Sequence, residues 1–308
     1  MIYTLTLNPS IDYHMDPMSL NYGHTNRSRA ESYTYGGKGI NVSVVLKNLG
    51  VETVALGLVG GYTGREICRL VEAEGVKTDF VSLSEGVSRI NVKLSGRPET
   101  EINAAGPNVT EEEREALIAR LEQAGEGDTV VLSGSVPASL GAGFYAYLMR
   151  RLSLQGIRVV LDASGPDLIR GLAMGPYLVK PNRAEAEAFI GQELKTEQEL
   201  IYAMGVMQGR GAKNVLLSLG ADGALFLSEN GAVYRAQGFR GHVVNTVGAG
   251  DSMLAGFLAY ADGHTAEEAF LMAMAAGSAA AFSPSLPEKD AILAIYEREG
   301  LAAVTRIA

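Results

Sequence analysis

Short apolar runs alternate with longer amphipathic segments along most of the chain. The apolar runs predict strands at residues 3–7, 53–59, 130–133, 158–162, 177–180 and 214–219. Between them, Thr-x-x-Glu sequences at Thr110, Thr196 and Thr265 are typical of capping boxes that open amphipathic helices. Strands rich in Val, Leu and Ile that alternate with helices indicate an α/β fold, with a mostly parallel sheet between two layers of helices.

Two polar segments interrupt this alternation. Residues 12–35 are rich in Tyr, Asn and Arg and show no helical period, and residues 88–104 predict a hairpin with a turn around Gly96. Ligands of such folds bind beyond the carboxyl ends of the strands. The two segments therefore predict a small β lid over that edge, and the alternative is that both are surface excursions.

Composition narrows the class of protein. The 308 residues are 47% hydrophobic and 20% charged, as expected of a globular protein, and we predict one domain over residues 1–308. The single cysteine, Cys68, excludes an internal disulfide and favours a reducing compartment, and the four histidines do not cluster as zinc ligands would.

The net charge and the apolar segments indicate which classes of partner are expected. A net charge of −9 argues against nucleic-acid binding and means that an anionic ligand needs a local cluster of cations and N–H groups. The N-terminus alternates like a strand rather than a signal peptide, so we expect a cytoplasmic protein. The most apolar run, residues 269–282, is too short to cross a bilayer and predicts a buried helix, and no membrane partner is expected.

The strongest local signal is Asn-Thr-Val-Gly-Ala-Gly-Asp at residues 245–251, followed by an apolar helical pattern. Gly248, Ala249 and Gly250 predict a turn into a helix, whose N–H groups suit a phosphoryl group. Asp251 beside such an anion is suited to accept the proton of a substrate hydroxyl. The alternative is that Asp251 is an ordinary acid in the first turn of a helix.

A second glycine-rich segment is Gly36-Gly37-Lys38-Gly39, which opens the helix that contains Asn41. It predicts close backbone approach to a small polar ligand with one cationic contact, or else a purely structural turn. It is not a P-loop, because Gly39 stands where Ser or Thr is needed. A dinucleotide fingerprint is disfavoured because no strong strand precedes the glycines.

A third segment, Lys180-Pro-Asn182-Arg-Ala-Glu185, follows a predicted strand. Asn182 and Glu185 are three residues apart at the start of a helix and share a face. The pair could organise a hydrated Mg²⁺ near a triphosphate, or it could form an ordinary capping box. The pattern alone favours neither interpretation.

Together the three segments resemble the ribokinase-like carbohydrate kinases, the family that includes the minor phosphofructokinases. GGKGIN resembles the family's N-terminal signature, NTVGAGD its C-terminal signature, and Asn182 with Glu185 its N-x-x-E element. The resemblance extends over essentially the whole chain. It implies a ribokinase-like three-layer α/β/α sandwich with eight or nine strands, a β lid, ATP and Mg²⁺.

Further stretches narrow the implied substrate. TLTLNPSID, NRS at 26–28, SRINVKL at 88–94 and ETEINAAGP at 99–107 resemble the family's kinases of fructose 1-phosphate and of tagatose 6-phosphate, and SRINVKL favours the former. Asn245 replaces the Asp that usually begins the C-terminal motif, as in the phosphosugar kinases. The implied reaction is phosphorylation of fructose 1-phosphate at its C6 hydroxyl, with tagatose 6-phosphate as the alternative substrate.

The resemblance also implies roles for individual residues. Asp251 is the expected base, and the N–H groups of Gly248, Ala249 and Gly250 are expected to stabilise the transferring group. The expected contacts of the phosphosugar are Asp12, Arg27, Gly36, Gly37, Lys38, Asn41, Arg89 and Asn103, with Lys38, Arg27 and Arg89 on its phosphate. For Arg27 and Arg89 the alternative is a solvated lid surface.

The same resemblance also implies which residues bind the nucleotide. ATP is expected at Lys180, Asn182, Ser218, Gly220, Ala221, Gly223, Gly248 and Gly250, with Mg²⁺ held through water by Asn182 and Glu185. The segment at residues 218–223 could instead be a plain β-turn. Small lids with exposed tyrosines often need partners, so a homodimer through the lid is expected. A non-catalytic sugar-phosphate sensor is the rival from another class, but it would not need the intact Asp251 and anion-binding glycines.

Overall fold

The computed structural model describes residues 1–17, 19–94 and 100–308, which form two β-sheets and flanking helices. The strands are β1 Ile2–Thr6, β2 Ser10–Pro17, β3 Ser28–Gly36, β4 Thr53–Gly60, β5 Lys77–Leu83, β6 Arg89–Leu94, β7 Thr100–Ile102, β8 Thr129–Ser133, β9 Arg158–Asp162, β10 Leu178–Val179, β11 Asn214–Ser218, β12 Ala224–Leu227, β13 Val233–Ala236 and β14 Val304–Arg306. The helices are α1 Lys38–Asn48, α2 Gly61–Ala73, α3 Glu111–Leu121, α4 Phe144–Leu152, α5 Gly165–Leu172, α6 Arg183–Ile190, α7 Glu197–Gly209, α8 Ala249–Tyr260, α9 Ala266–Ala281 and α10 Lys289–Glu299.

The larger sheet is parallel over most of its width. Its order is β14-β13-β12-β11-β10-β9-β8-β1-β4-β5. The strands from β11 through β10, β9, β8, β1 and β4 to β5 run parallel to one another. At the other edge, β12, β13 and β14 each pair antiparallel with the preceding strand. Within the described ranges the sheet has ten strands, more than the eight or nine that the family resemblance implied. The sequence pattern predicted six of these strands and missed the antiparallel β12, β13 and β14 at one edge and the parallel β5 at the other.

Both faces of this sheet carry helices, as predicted for a three-layer sandwich. One apolar core joins alternate strand residues such as Leu5, Leu132 and Leu161 to helices α3, α4, α5, α6 and α7. The intervening residues, such as Val131 and Val160, pack with α1, α8, α9 and α10. The near-continuous apolar strands are therefore buried on both faces.

The predicted helix starts are confirmed. Thr110, Thr196 and Thr265 each cap a helix and form a reciprocal box with the Glu three residues later. The apolar run predicted as a buried helix is α9, and most of its residues are buried. In the part of the chain that the structure describes, no helix has the length and apolar character needed to cross a membrane.

The smaller sheet, in the order β3-β2-β6-β7, arises from the two polar segments. Strands β2 and β6 pair in parallel with Asp12 opposite Asn91, and β6 pairs antiparallel with β7. The predicted hairpin is therefore present. Its predicted turn around Gly96 lies outside the described residues. One face of this sheet meets the cleft described next.

Candidate active site

A large cleft, of about 1060 Å³, lies where the parallel strands of the larger sheet end and the smaller sheet begins. Because parallel strands place their carboxyl ends at one edge, residues that follow β1, β8, β9, β10 and β11 meet there. The predicted site residues that line the cleft are Asp12, Gly37, Lys38, Asn41, Arg89, Asn103, Lys180, Asn182, Glu185, Ser218, Gly220, Ala221, Gly223, Gly248, Ala249, Gly250 and Asp251. Gly36 and Arg27 are not part of this lining.

Asp251 occupies the first turn of α8, whose N-cap is Gly248 in the left-handed conformation at φ 79°. The residue is only 7% exposed, and its Oδ2 accepts a hydrogen bond from Asn41 Nδ2 at 2.8 Å. Burial, and then the negative charge of Asp162, raise the pKa of Asp251, while Lys180, the Asn41 hydrogen bond and Lys38 oppose that shift. The site thus holds a buried carboxylate with a raised pKa at the positive end of a helix.

A second buried acid, Asp162, lies at the carboxyl end of β9 and binds two lysines. It is 1% exposed, its Oδ1 accepts a hydrogen bond from Lys38 Nζ at 3.1 Å, and Lys180 Nζ lies 3.4 Å from Oδ2. Burial alone would raise the pKa of Asp162, but Lys180 and Lys38 outweigh it and hold that pKa low. Asp162 was not selected from the sequence, where its only signal is its place at the end of a buried strand.

Lys38 belongs to this cluster through its contacts. Burial opposes its charge, but Asp162, Asp251 and Glu185 raise its pKa, so the ammonium stays charged. Its contact is with Asp162, whereas Arg89 Nε donates to the Asn8 carbonyl at 3.0 Å. The structure therefore places Lys38 with Asp162, Lys180 and Asp251 instead of pairing it with Arg89 around one anion.

Gly250 allows the second lysine to approach the start of α8. A Cβ atom at this position would lie 3.1 Å from Lys180 Nζ, tighter than nine in ten real Cβ contacts. Because Gly250 has no side chain, the ammonium can lie over the helix N-terminus. The Ala249 N–H donates weakly to the Thr246 carbonyl at 3.3 Å, so it is partly engaged.

Asn182 and Glu185 form the capping box that the sequence left as one of two interpretations. Asn182 Oδ1 accepts from the Glu185 N–H at 2.8 Å, and Glu185 Oε2 accepts from the Asn182 N–H at 2.9 Å. The box uses only one of the two Glu185 oxygens, and both residues line the cleft. Glu185 can therefore form the capping box and at the same time contact a cation through water.

The cleft continues along α8 and α9 into a more apolar part. Ser218, Gly220, Ala221 and Gly223 border it at a short 3₁₀ turn between β11 and β12. Residues that the sequence analysis did not select complete this part of the lining, namely Phe239, Val243, Val247, Met253, Met274, Gly277, Ser278, Ala281 and Phe282. An apolar slot beside a glycine-rich turn suits the flat base of a nucleotide.

Across the cleft, polar side chains of the smaller sheet surround Asp12. Asp12 Oδ1 accepts hydrogen bonds from Ser10 Oγ at 2.7 Å and from Asn91 Nδ2 at 3.0 Å. A Cβ atom at Gly36 would lie 2.5 Å from Asp12 Oδ1, so a glycine here lets the backbone pack closely against Asp12. Asn91 and Lys93 of β6 also line the cleft and were not selected from the sequence.

The two arginines differ in position. Arg89 lines the cleft, where its NH1 also donates to the Ala104 carbonyl at 3.3 Å. Arg27 is exposed and lies before β3. Within one chain, the described residues therefore bring Arg89 but not Arg27 to the cleft.

The arrangement is suited to phosphoryl transfer between a nucleotide and a polar acceptor. A buried carboxylate, two cations and a helix N-terminus meet between an apolar slot and a polar lid surface. Catalysis of such transfers depends on positioning and charge stabilisation, which these groups supply. The fold and site define a kinase.

Comparison with known proteins specifies the class further. The model of the pfkB family of carbohydrate kinases matches residues 5–288, and the chain belongs to that family. It is 42% identical over 291 residues to 1-phosphofructokinase of Bacillus subtilis, covering 94% of this chain and 95% of the relative. It is 38% identical over 288 residues to D-tagatose-1-phosphate kinase of Bacillus licheniformis, covering 93% of this chain and 94% of the relative.

A solved structure confirms the predicted fold class. Phosphofructokinase-2 of Escherichia coli, in complex with substrates and products, superposes with a TM-score of 0.90 at 31% identity. The match covers 96% of this chain and 98% of that chain. The predicted carbohydrate-kinase class is likewise confirmed, and membership of this family implies the use of ATP.

Proposed function

We propose that this kinase transfers the γ-phosphoryl group of ATP to the C6 hydroxyl of fructose 1-phosphate, giving fructose 1,6-bisphosphate and ADP. The observation that carries the proposal is the buried Asp251 at the start of α8, beside two lysines and opposite the polar lid sheet. The B. subtilis relative, matched over nearly its whole length, supports the choice of substrate.

Asp251 is the proposed base. Its burial and its hydrogen bond from Asn41 fix the carboxylate, and the raised pKa makes it a better proton acceptor than an exposed aspartate. It takes the proton of the C6 hydroxyl as that oxygen attacks the γ-phosphorus and the bond to the ADP oxygen breaks. The proton remains on Asp251 until the product leaves.

The developing negative charge is met by cations and by the helix. Lys38 and Lys180, both held by Asp162, lie beside Asp251, and the N–H groups of Gly248, Ala249 and Gly250 belong to the start of α8. Such preorganised donors stabilise a transferring phosphoryl group. This assignment moves Lys38 from the sugar phosphate, where the resemblance placed it, to the transferring phosphate.

Mg²⁺ fits the donors on the nucleotide side. The Glu185 carboxylate has one oxygen outside the capping box, and Asn182 stands beside it at the cleft. A metal that keeps most of its waters needs few protein ligands, so these two residues would hold it through water. When bound, Mg²⁺ would neutralise charge on the ATP phosphates.

The sugar lies on the lid side in this proposal. Asp12, Asn41 and the backbone at Gly36 and Gly37 bind its hydroxyls, and Asn103 borders the same region. Arg89 binds the phosphate that the sugar already carries. Arg27 is assigned to the same phosphate only through the family resemblance. Because it is exposed, its contribution requires movement of the lid or a second subunit.

Replacement of the base tests the mechanism. Asp251→Asn should lower kcat by roughly two to four orders of magnitude while ATP still binds. Asp290→Asn is the matched control, because Asp290 is an exposed acid in the first turn of α10. If both variants retain near-normal turnover, Asp251 is only a helix-terminal acid, as the alternative interpretation holds.

A second candidate substrate is D-tagatose 1-phosphate. The B. licheniformis relative is named for that sugar, which supports it in place of the tagatose 6-phosphate expected from the sequence. The two ketose 1-phosphates differ only at C4, so the same base and phosphate contacts would serve both. Their relative kcat/KM values decide between them.

The proposal also covers the oligomeric state and the cellular location of the protein. We treat residues 1–308 as one cytoplasmic kinase domain that dimerises through its lid, since the outer lid face exposes Ile90 at 38% and Ile102 at 59%. The E. coli phosphofructokinase-2 has been solved in a tetrameric inhibited form, so association occurs in the family. A monomeric mass by light scattering at working concentration would contradict the proposed dimer.

A further inference from the structure

Lys93 is a buried cation of the lid that faces the cleft. It lies on β6 and is 7% exposed. Its Nζ is 3.3 Å from Asp12 Oδ2 and 3.4 Å from Glu101 Oε1. A lysine is rarely this buried unless it is paired, and here both partners also line the cleft. The phosphoryl-transfer mechanism above does not use this ammonium.

The two partners of Lys93 are not equivalent. The Asp12 side chain is 12% exposed and the Glu101 side chain is 42% exposed. Solvent screens the Glu101 pair much more than the Asp12 pair. The stronger interaction of Lys93 is therefore with Asp12, the residue assigned to the sugar hydroxyls.

The hydrogen bonds of Asp12 show what Lys93 adds. Oδ1 accepts from Ser10 and Asn91, which are neutral donors, and Oδ2 is paired with Lys93. A carboxylate has about four acceptor positions, so Oδ2 retains capacity for a sugar hydroxyl beside the lysine. Without Lys93, Oδ2 would lose its cation, and only the two hydrogen bonds to Oδ1 would hold the buried carboxylate in place.

The charges on the lid face that meets the cleft also favour a role for Lys93 in binding the sugar. Arg89 and Lys93 balance Asp12 and Glu101 on the face of the lid that meets the cleft. Loss of Lys93 would leave one excess negative charge facing an anionic phosphosugar. Like charges in a cleft weaken binding of such a substrate.

We infer that Lys93 is a positioning residue of the sugar site, which holds the Asp12 carboxylate in the orientation that receives the hydroxyls of the sugar. The inference rests on the proposed function for the identity of the substrate. It requires that Lys93 act through Asp12 and not through the nucleotide side of the cleft.

The test is a double-mutant cycle on KM. Lys93→Met should raise KM for fructose 1-phosphate at least about tenfold, while KM for ATP changes by less than about twofold. In an Asp12→Asn background the same substitution should change KM for the sugar by less than about twofold, because the group that Lys93 positions is already altered. Lys77→Met, which removes an exposed lysine at the start of β5, is the matched control and should behave like the wild type.

The outcomes separate the inference from the proposed function. If Lys93→Met leaves the sugar KM unchanged, or raises it equally in both backgrounds, Lys93 does not act through Asp12 and the inference is overturned. If the wild type phosphorylates no ketose phosphate, the proposed function itself fails. Should Lys93→Met not fold, Lys93→Ala, which also removes both the charge and the N–H donors from Asp12, carries the same cycle.

Discussion

Asn41 donates a hydrogen bond from its side chain to Asp251 at 2.8 Å, across 210 positions of sequence. The bond joins the two glycine-rich segments, because Asn41 lies in the first turns of α1 and Asp251 in the first turn of α8. Helix α1 also begins at Lys38, which binds Asp162. One helix start therefore orients the proposed base and supplies a cation beside it.

Loss of this hydrogen bond should make Asp251 harder to ionise. The Asn41 bond lowers the pKa of Asp251, so Asn41→Leu should raise that pKa and move the acid limb of kcat/KM to higher pH. The measurement is the pH profile of kcat/KM beside that of the wild type. Substrate phosphates titrate equally in both reactions, so the difference reports the enzyme. A limb that moves to lower pH would contradict the assignment of Asp251 as the base.

Neutralising Asp162 should move the same limb in the opposite direction. The negative charge of Asp162 raises the pKa of Asp251, while Lys38 and Lys180 lower it. Asp162→Asn removes the first effect and leaves both lysines, so the acid limb should shift to lower pH while kcat falls. A profile displaced upward, or unchanged beside a normal kcat, would show that Asp162 does not act on the base.

Lys38 and Arg89 should affect different kinetic constants. Lys38 contacts Asp162 near the base, so Lys38→Met should lower kcat by roughly one to two orders of magnitude. Arg89 lies at the lid end, so Arg89→Met should mainly raise KM for the phosphosugar. Steady-state kinetics in both substrates give the split. An effect of Lys38→Met confined to the sugar KM would return Lys38 to the sugar phosphate.

A methyl group at Gly250 should disturb Lys180. The added Cβ would lie 3.1 Å from the ammonium, so Gly250→Ala should displace the lysine and lower kcat. The matched control is Gly205→Ala in α7, where nothing lies within 4 Å of the new atom. That control should stabilise the fold by about 0.5–1 kcal/mol and leave kcat unchanged. Equal kcat values for the two variants would argue against a role for the Lys180 approach.

The sequence predicted those features that local patterns encode. Apolar periodicity gave the central parallel strands, and Thr-x-x-Glu gave three helix starts. The glycine-rich segments do open α1 and α8. The antiparallel edge strands β12, β13 and β14 are only three or four residues long, too short to show a period.

Residues that depend on distant partners were harder to find. Asp162 looks like any polar residue that ends a strand, and its role emerges only when folding brings Lys38, 124 positions away, to its carboxylate. Lys93 likewise fits a simple alternation of polar and apolar residues in β6. Its pairing with Asp12 depends on the parallel register of β2 and β6, which no local pattern specifies.

The most direct test of the central claim is the initial rate with ATP and Mg²⁺ against fructose 1-phosphate, D-tagatose 1-phosphate, tagatose 6-phosphate, fructose 6-phosphate and fructose. The account predicts a kcat/KM for fructose 1-phosphate at least about tenfold above each of the others, a difference of about 1.4 kcal/mol in transition-state stabilisation. A preference for either tagatose phosphate would keep the kinase mechanism and change the sugar. Absence of turnover with every phosphosugar would contradict the account.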